Sequence, residues 1–272
     1  MKTVTSKDGT TIAFDQSGTG PALILVGGMF EQRAMDSETA QLAALPLLAE
    51  RFTVFHYDRR GRGDSTDTQP YAVEREVEDI ETLIDKAGGE AFVFGISSGA
   101  ALAFEAALAL GGKVKKLAMY EAPYNDDEAA RQAWKDFRKQ LKEVLAEGRR
   151  GDAVGLFMTL LGVSAEHLEG MRQHPMWPMW EAVAPTIAYD AAALGADASV
   201  PTERAASIAV PALIMDGGAS EWPFMHITAT ALASAMPNAR HRTLEGQTHQ
   251  VAAEAIGPVL MEFFNSNGVR MP

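Results

Sequence analysis

The segment Gly95-Ile96-Ser97-Ser98-Gly99 places a serine in a G-x-S-x-G spacing, after an apolar run and before a helix-forming one. A serine on a sharp strand-to-helix turn is lifted above the sheet edge, and flanking glycines let backbone and helix close around it. The helix start adds positive potential and free backbone N–H groups. These features suit a nucleophile. A plainer reading is a Gly/Ser turn in which Ser97 or Ser98 only caps the helix. The strand and helix lie on the correct sides, which favours the nucleophile. A serine hydroxyl needs a base, and histidine is the side chain poised for that near neutral pH. Six histidines are available: His56, His167, His174, His226, His241 and His249.

The surrounding chain reads as strands alternating with helices. A polar strand, an Asp8-Gly9 turn and Thr10 to Gln16 predict a hairpin. Ala22 to Val26 (ALILV) is short, unbroken and aliphatic, as a strand covered on both faces must be. Ala40 to Glu50 reads as a helix and Phe52 to Tyr57 as a strand. Val73, Val77, Ile80, Leu83 and Ile84 recur at helical spacing before Gly88-Gly89. Phe92 to Ile96, Ser98 to Leu110 and Val114 to Tyr120 continue as strand, helix, strand. From Pro123 to about Ala209 the alternation stops and the composition turns helical. It resumes with Ala212 to Met215, a helix around Ile227 to Ala235, Arg240 to Leu244, and a last helix through Val259 to Phe264. The expectation is an α/β fold with a mostly parallel, doubly wound sheet. A core of 1–122 and 210–272 is then interrupted by a helical cap, 123–209, roofing the site.

Four features resemble proteins of the α/β-hydrolase fold over nearly the whole length: the glycine loop after ALILV, the Tyr57 to Ser65 segment (YDRRGRGDS), the GISSG elbow and a late histidine. The resemblance implies a capped member with a serine nucleophile. It places the base at His249, in the loop Glu245-Gly246-Gln247-Thr248-His249. It also implies an oxyanion hole made by the N–H of Ser98 and an N–H in the loop Gly27-Gly28-Met29-Phe30, assigned here to Met29. The family usually shows His-Gly in that loop, and this chain has Gly27 in place of the histidine.

The third member departs from the pattern. The family's usual acid follows the seventh strand in a G-G-x-D pattern, but here the segment is PALIMDGGASEW and Ser220 stands in that place. A serine cannot supply the charge that stabilises an imidazolium. Three carboxylates are candidates, and a bare Ser–His pair is the fourth option. Glu121 ends the sixth strand, beside the strand that bears Ser97, and is the acid expected to orient His249. Some haloalkane dehalogenases of this fold take their acid there, and Met-Tyr-Glu-Ala resembles such a site. Glu221 follows Ser220, and Asp216 ends ALIMD. Those dehalogenases attack with aspartate at the elbow, whereas Ser97 argues for acyl transfer.

The expected activity is therefore hydrolysis of a carboxylic ester, lactone or thioester through an acyl-serine, on a small hydrophobic acyl or aromatic substrate. The rival is a non-hydrolytic lyase or cyclase using the cavity and His249 without an acyl-enzyme. A net charge of -12 disfavours nucleic acid and anionic membranes as partners. The absence of cysteine excludes thiolate metal sites and a cysteine nucleophile. No metal or cofactor motif is visible: Gly61-Arg62-Gly63 lacks the context of a dinucleotide fingerprint. Arg59, Arg60 and Arg62 interleave with Asp58 and Asp64, which predicts a local salt-bridged loop. Met171, Met176, Trp177, Met179 and Trp180 either line the pocket or pack the cap. The N-terminus shows no apolar signal segment, and a cytoplasmic location is expected.

Overall fold

The computed structural model describes residues 1–34 and 40–266, without the side chains of 40–43. Eight strands form one sheet: β1 (Lys2–Thr5), β2 (Thr11–Ser17), β3 (Ala22–Val26), β4 (Thr53–Tyr57), β5 (Ala91–Ile96), β6 (Val114–Tyr120), β7 (Ala212–Gly217) and β8 (Ala239–Leu244). Their order is β1-β2-β4-β3-β5-β6-β7-β8. The first two pairings are antiparallel, and every pairing from β4 to β8 is parallel.

Parallel strands need crossover connections, and helices supply them. The helices are α1 (Ala40–Ala49), α2 (Val73–Lys86), α3 (Ser98–Leu110), α4 (Glu128–Ala146), α5 (Arg150–Leu160), α6 (Ala165–Met171), α7 (Trp177–Val183), α8 (Ile187–Ala193), α9 (Thr202–Ala205), α10 (Phe224–Ala235) and α11 (Ala253–Asn265). Strand side chains alternate between faces, so each apolar strand feeds two cores. Ile24, Val93, Leu117 and Ile214 join the core with α2, α3 and α10, whereas Leu25, Phe94, Ala118 and Leu213 join the one with α1 and α11. This parity decides which way each strand-end side chain points. Between β6 and β7 the chain forms only helices, α4 to α9 and one 3-10 turn.

Two expected boundaries shift. The first hairpin closes through Ser6–Thr10 rather than two residues, because the Asp8 carboxylate accepts the Thr10 amide at 3.0 Å and Gly9 turns with φ 90°. The last helix, expected through Val259 to Phe264, extends back to Ala253. Gly257 and Pro258, both helix breakers by propensity, hide its first turns in the sequence.

Candidate active site

Ser97 stands between the end of β5 and the first residue of α3, with φ 55° and ψ -131°. A left-handed φ is costly for a residue with a side chain, and it persists only where the surroundings over-determine it. They do so here. The Ser97 amide donates to Tyr120 O on β6 at 2.9 Å, and its carbonyl accepts the Ala100 amide at 2.9 Å. A Cβ added at Gly95 would lie 2.4 Å from Gly99 O, and one at Gly99 would lie 2.3 Å from Val26 O. Only glycine at both positions lets α3 start this close to the sheet. Ser97 is the N-cap residue but makes no side-chain cap hydrogen bond, and the buried Ser98 hydroxyl has no partner among the described residues.

His249 lies in the loop between β8 and α11, and its Nδ1 sits 2.6 Å from Glu121 Oε2. Glu121 follows β6, is 1% exposed and has φ 46°, which swings its side chain across the strand ends. Its other oxygen accepts the Gly217 amide at 2.9 Å, and its own amide donates to Met215 O at 2.9 Å. The loop bearing His249 is tied to the same strand ends. The Tyr120 hydroxyl donates to Thr248 O at 2.5 Å, and the Ala219 amide donates to Gln247 O at 2.8 Å. Burial pushes the Tyr120 phenol up, with the Glu121 and Asp216 carboxylates adding to the rise, so it remains a donor. Trp222 closes one side of the imidazole edge-on, its ring 5.2 Å from that of His249.

The other two carboxylates lie elsewhere. Asp216 shares strand parity with Ile214 and points to the α10 face, where it meets His226, His241 and Thr243. Glu221 is exposed. Neither has His249 as a hydrogen-bond partner among those found.

The loop after β3 is held by arginines from the loop after β4. Arg62 donates to Gly28 O at 2.6 Å and Arg59 to Gly27 O at 3.3 Å. The Gly28 carbonyl and the Met29 N–H belong to one planar peptide and point in opposite directions. Gripping that carbonyl therefore aims the Met29 N–H. The Gly28 amide is taken by the Glu31 carboxylate at 2.5 Å. The Ser98 N–H, at the first position of α3, has no carbonyl four residues back within its helix.

The arginine loop is salt-bridged, but not with the aspartates expected. Asp58 and Asp64 instead pair with Arg33. Arg59 binds both oxygens of Glu76 at 2.8 Å, and Arg59 and Arg62 share the two oxygens of Asp190 on α8. Burial alone lowers the Arg59 guanidinium, yet Asp190 and Glu76 hold it well above its ordinary value. Burial and the Arg59 charge leave Arg62 below its ordinary value despite Asp190. The short-range interleaving of charges misled because strand β4 and its loop are enclosed, leaving partners 17 to 131 residues away to balance them. Arg60 likewise pairs outside the loop, with Asp79 and Asp8.

A family model for the alpha/beta hydrolase family matches residues 12–255. The chain belongs to that family. A crystal structure of an alpha/beta hydrolase from Sphaerobacter thermophilus shares 52% identity, covering 97% of this chain and 100% of that one with a TM-score of 0.86. A hydrolase from Pseudomonas aeruginosa shares 24%, covering 97% and 98%, with a TM-score of 0.73. An enol-lactonase from Burkholderia xenovorans shares 19%, covering 97% and 100%, with a TM-score of 0.69. These last two likenesses show the fold. No curated protein matches the chain.

In this alpha/beta hydrolase family member, Ser97, Ser98, Met29 and His249 line one cavity of about 350 Å³. Its walls are mostly apolar, with Asn125, Asp197 and Gln250 as polar exceptions: Trp134, Phe157, Leu160 and Leu161 come from the helices between β6 and β7, and Trp222 and Phe224 from the segment after β7. None of Met171, Met176, Trp177, Met179 or Trp180 lines it. Trp177 stacks under Arg172 and against Trp180, which in turn packs on Phe30, so these two tryptophans are packing residues. The walls fall instead on α4 and α5, whose helical spacing alone could not separate a cavity wall from a buried contact. A larger open groove of about 940 Å³, beside Val73 and Arg204, contains neither Ser97 nor His249. Among the described residues, no helix is long and apolar enough to cross a membrane.

Proposed function

We propose that the protein is a serine hydrolase acting on a small carboxylic ester, or a lactone or thioester relative, through an acyl-serine intermediate. The observation that carries this is the contact of His249 Nδ1 with a buried Glu121, in a cavity that His249 shares with Ser97. Ser97 Oγ attacks the carbonyl carbon while His249 Nε2 takes its proton. Glu121 holds the imidazole in the tautomer with hydrogen on Nδ1 and stabilises the imidazolium. The N–H groups of Met29 and Ser98 receive the oxyanion. Collapse expels the alcohol, which leaves with the proton from His249. A water then attacks the acyl-serine, losing its proton to His249, and collapse releases the acid as His249 returns that proton to Ser97 Oγ.

The apolar walls favour a hydrophobic acyl or aromatic group of modest size. In this reading, residues 123–209 are a cap over the core of 1–122 and 210–272, and the name of the enol-lactonase gives cyclic esters a place in the screen. A cytoplasmic enzyme needing no cofactor completes the proposal.

The test is intact-mass labelling with a fluorophosphonate on the wild type, Ser97→Ala and His249→Ala, followed by a screen of short to long acyl esters. Stoichiometric labelling of the wild type alone is expected. A folded wild type that resists labelling, or turnover that survives Ser97→Ala, overturns the proposal in favour of a lyase or cyclase.

A further inference from the structure

On the opposite face of β7 from the Glu121 contact, Asp216, His226 and His241 converge, each offering one ligand atom, and these atoms all lie within 4.8 Å of one another. The chemistry proposed above uses none of them. Asp216 is 1% exposed, and its partners are His241 Nε2 at 2.5 Å, His226 Nδ1 at 3.0 Å and the Thr243 hydroxyl at 3.2 Å. Among the described residues no lysine or arginine pairs with it, although most other buried carboxylates, such as Asp58, Asp79 and Asp190, hold an arginine. A buried carboxylate whose partners are two imidazoles and a hydroxyl, with no permanent cation beside it, is a fitting anchor for a bound cation.

The scaffold around it is rigid. Asp216 and His241 stand on adjacent paired strands, with Asp216 facing Thr243 and Ile214 facing His241 in the register. His226 comes from the first turn of α10, which packs across both strands. We infer that Asp216, His226 and His241 form a binding site for one divalent transition-metal ion, zinc by ligand chemistry. Two imidazole nitrogens and one carboxylate oxygen suit zinc, copper or nickel, whereas calcium and magnesium require oxygen sets. Ligand atoms on a tetrahedral zinc stand about 3.3 Å apart. The three ligand atoms already lie within 4.8 Å of one another, so side-chain shifts of at most about 1.5 Å bring them to that spacing. His226, with its side chain 58% exposed, is free to shift and leaves the fourth position open to water. Zinc there would pin α10 to β7 and β8.

Zinc chloride titrated by calorimetry into the full chain, with any purification tag removed, tests this. One equivalent bound in the micromolar range or tighter is expected, with visible absorption bands from a cobalt(II)-loaded sample. His226→Ala, an exposed position that does not threaten folding, should weaken binding at least tenfold and abolish the rise in melting temperature caused by zinc. His241→Ala should do the same, and His167→Ala should leave binding unchanged. Absence of saturable binding to the wild type, or equal binding by the wild type and His226→Ala, overturns the inference. Either outcome is independent of whether Ser97 labels.

Discussion

The Gly217 amide at the tip of β7 donates to Glu121 Oε1 at the end of β6, at 2.9 Å. The seventh strand, in whose following loop the resemblance leads one to expect an acid at Ser220, thus contributes a donor to the carboxylate of its neighbour. Glu121 is left with one oxygen spoken for by backbone and the other directed at His249 Nδ1. An oriented, desolvated carboxylate is what an imidazole base requires of its partner. The same turn at φ 46° that costs backbone energy is what brings the carboxylate to that position.

Glu121→Gln keeps the size and the Gly217 contact but removes the charge and offers His249 the wrong tautomeric partner. By analogy with triads deprived of their acid, kcat on a p-nitrophenyl ester should fall on the order of 10³- to 10⁴-fold with KM little changed. Glu221→Gln, at an exposed position away from His249, should remain within a factor of about two. Equal and mild effects of the two substitutions would remove Glu121 from the proposed triad.

The elbow makes a steric prediction. Alanine at Gly99 would put its Cβ 2.3 Å from Val26 O and 2.5 Å from Gly27 O, both backbone atoms that cannot rotate away. Gly99→Ala should therefore destabilise the fold by about 3 kcal/mol, read as a lower urea midpoint, and displace the loop after β3. A variant of wild-type stability would show that α3 has room to retreat.

Much of this architecture was legible along the chain, and the reason is physical. β3 and β5 are covered on both faces, so their runs are continuously apolar, and the G-x-S-x-G turn has a local steric requirement that leaves a local signature. Even Glu121 was visible, as the favoured carboxylate ending β6, although the sequence alone left Asp216 and Glu221 in contention. Strand parity settles the placement: Asp216 falls on the α10 face, a fact that depends on the register of β7 and not on residue type. The partners of Arg59 and Arg62 were hidden for a similar reason. Asp190 lies in a short helix more than a hundred residues away, and nothing in its own neighbourhood marks it as buried. The cavity wall went to α4 and α5 rather than the Met/Trp-rich stretch because packing between helices, not hydrophobicity, decides which apolar side chains face a void.

Arg62 and Asp190 yield a pair of separable effects. Arg62→Lys cannot span Gly28 O, Thr186 and Asp190 at once, so the Met29 peptide loses its fixed direction. The expected result is a fall in kcat of about tenfold or more with KM nearly unchanged, as for loss of an oxyanion-hole contact. Asp190→Asn instead leaves two buried guanidinium groups sharing a neutral partner. Chemical denaturation should show a loss of about 3–5 kcal/mol. A KM effect alone in Arg62→Lys would assign that residue to substrate binding rather than to the loop.

His56 governs part of the acid response. It lies on β4 with 7% of its surface exposed, and burial, with Arg33 adding to it and Asp58 opposing, holds its imidazole down at about 4. In the unfolded chain the imidazole returns to about 6.5. Between these values the unfolded state binds the extra proton, so the contribution is fully present above pH 6.5 and is lost as pH falls towards 4. The gap corresponds to roughly 3 kcal/mol. Urea midpoints measured from pH 7 to pH 4 should fall steeply in the wild type and less steeply in His56→Gln, whose side chain does not titrate. Parallel slopes for the two proteins would mean that water reaches His56 in the folded state, or that carboxylates alone set the acid limb.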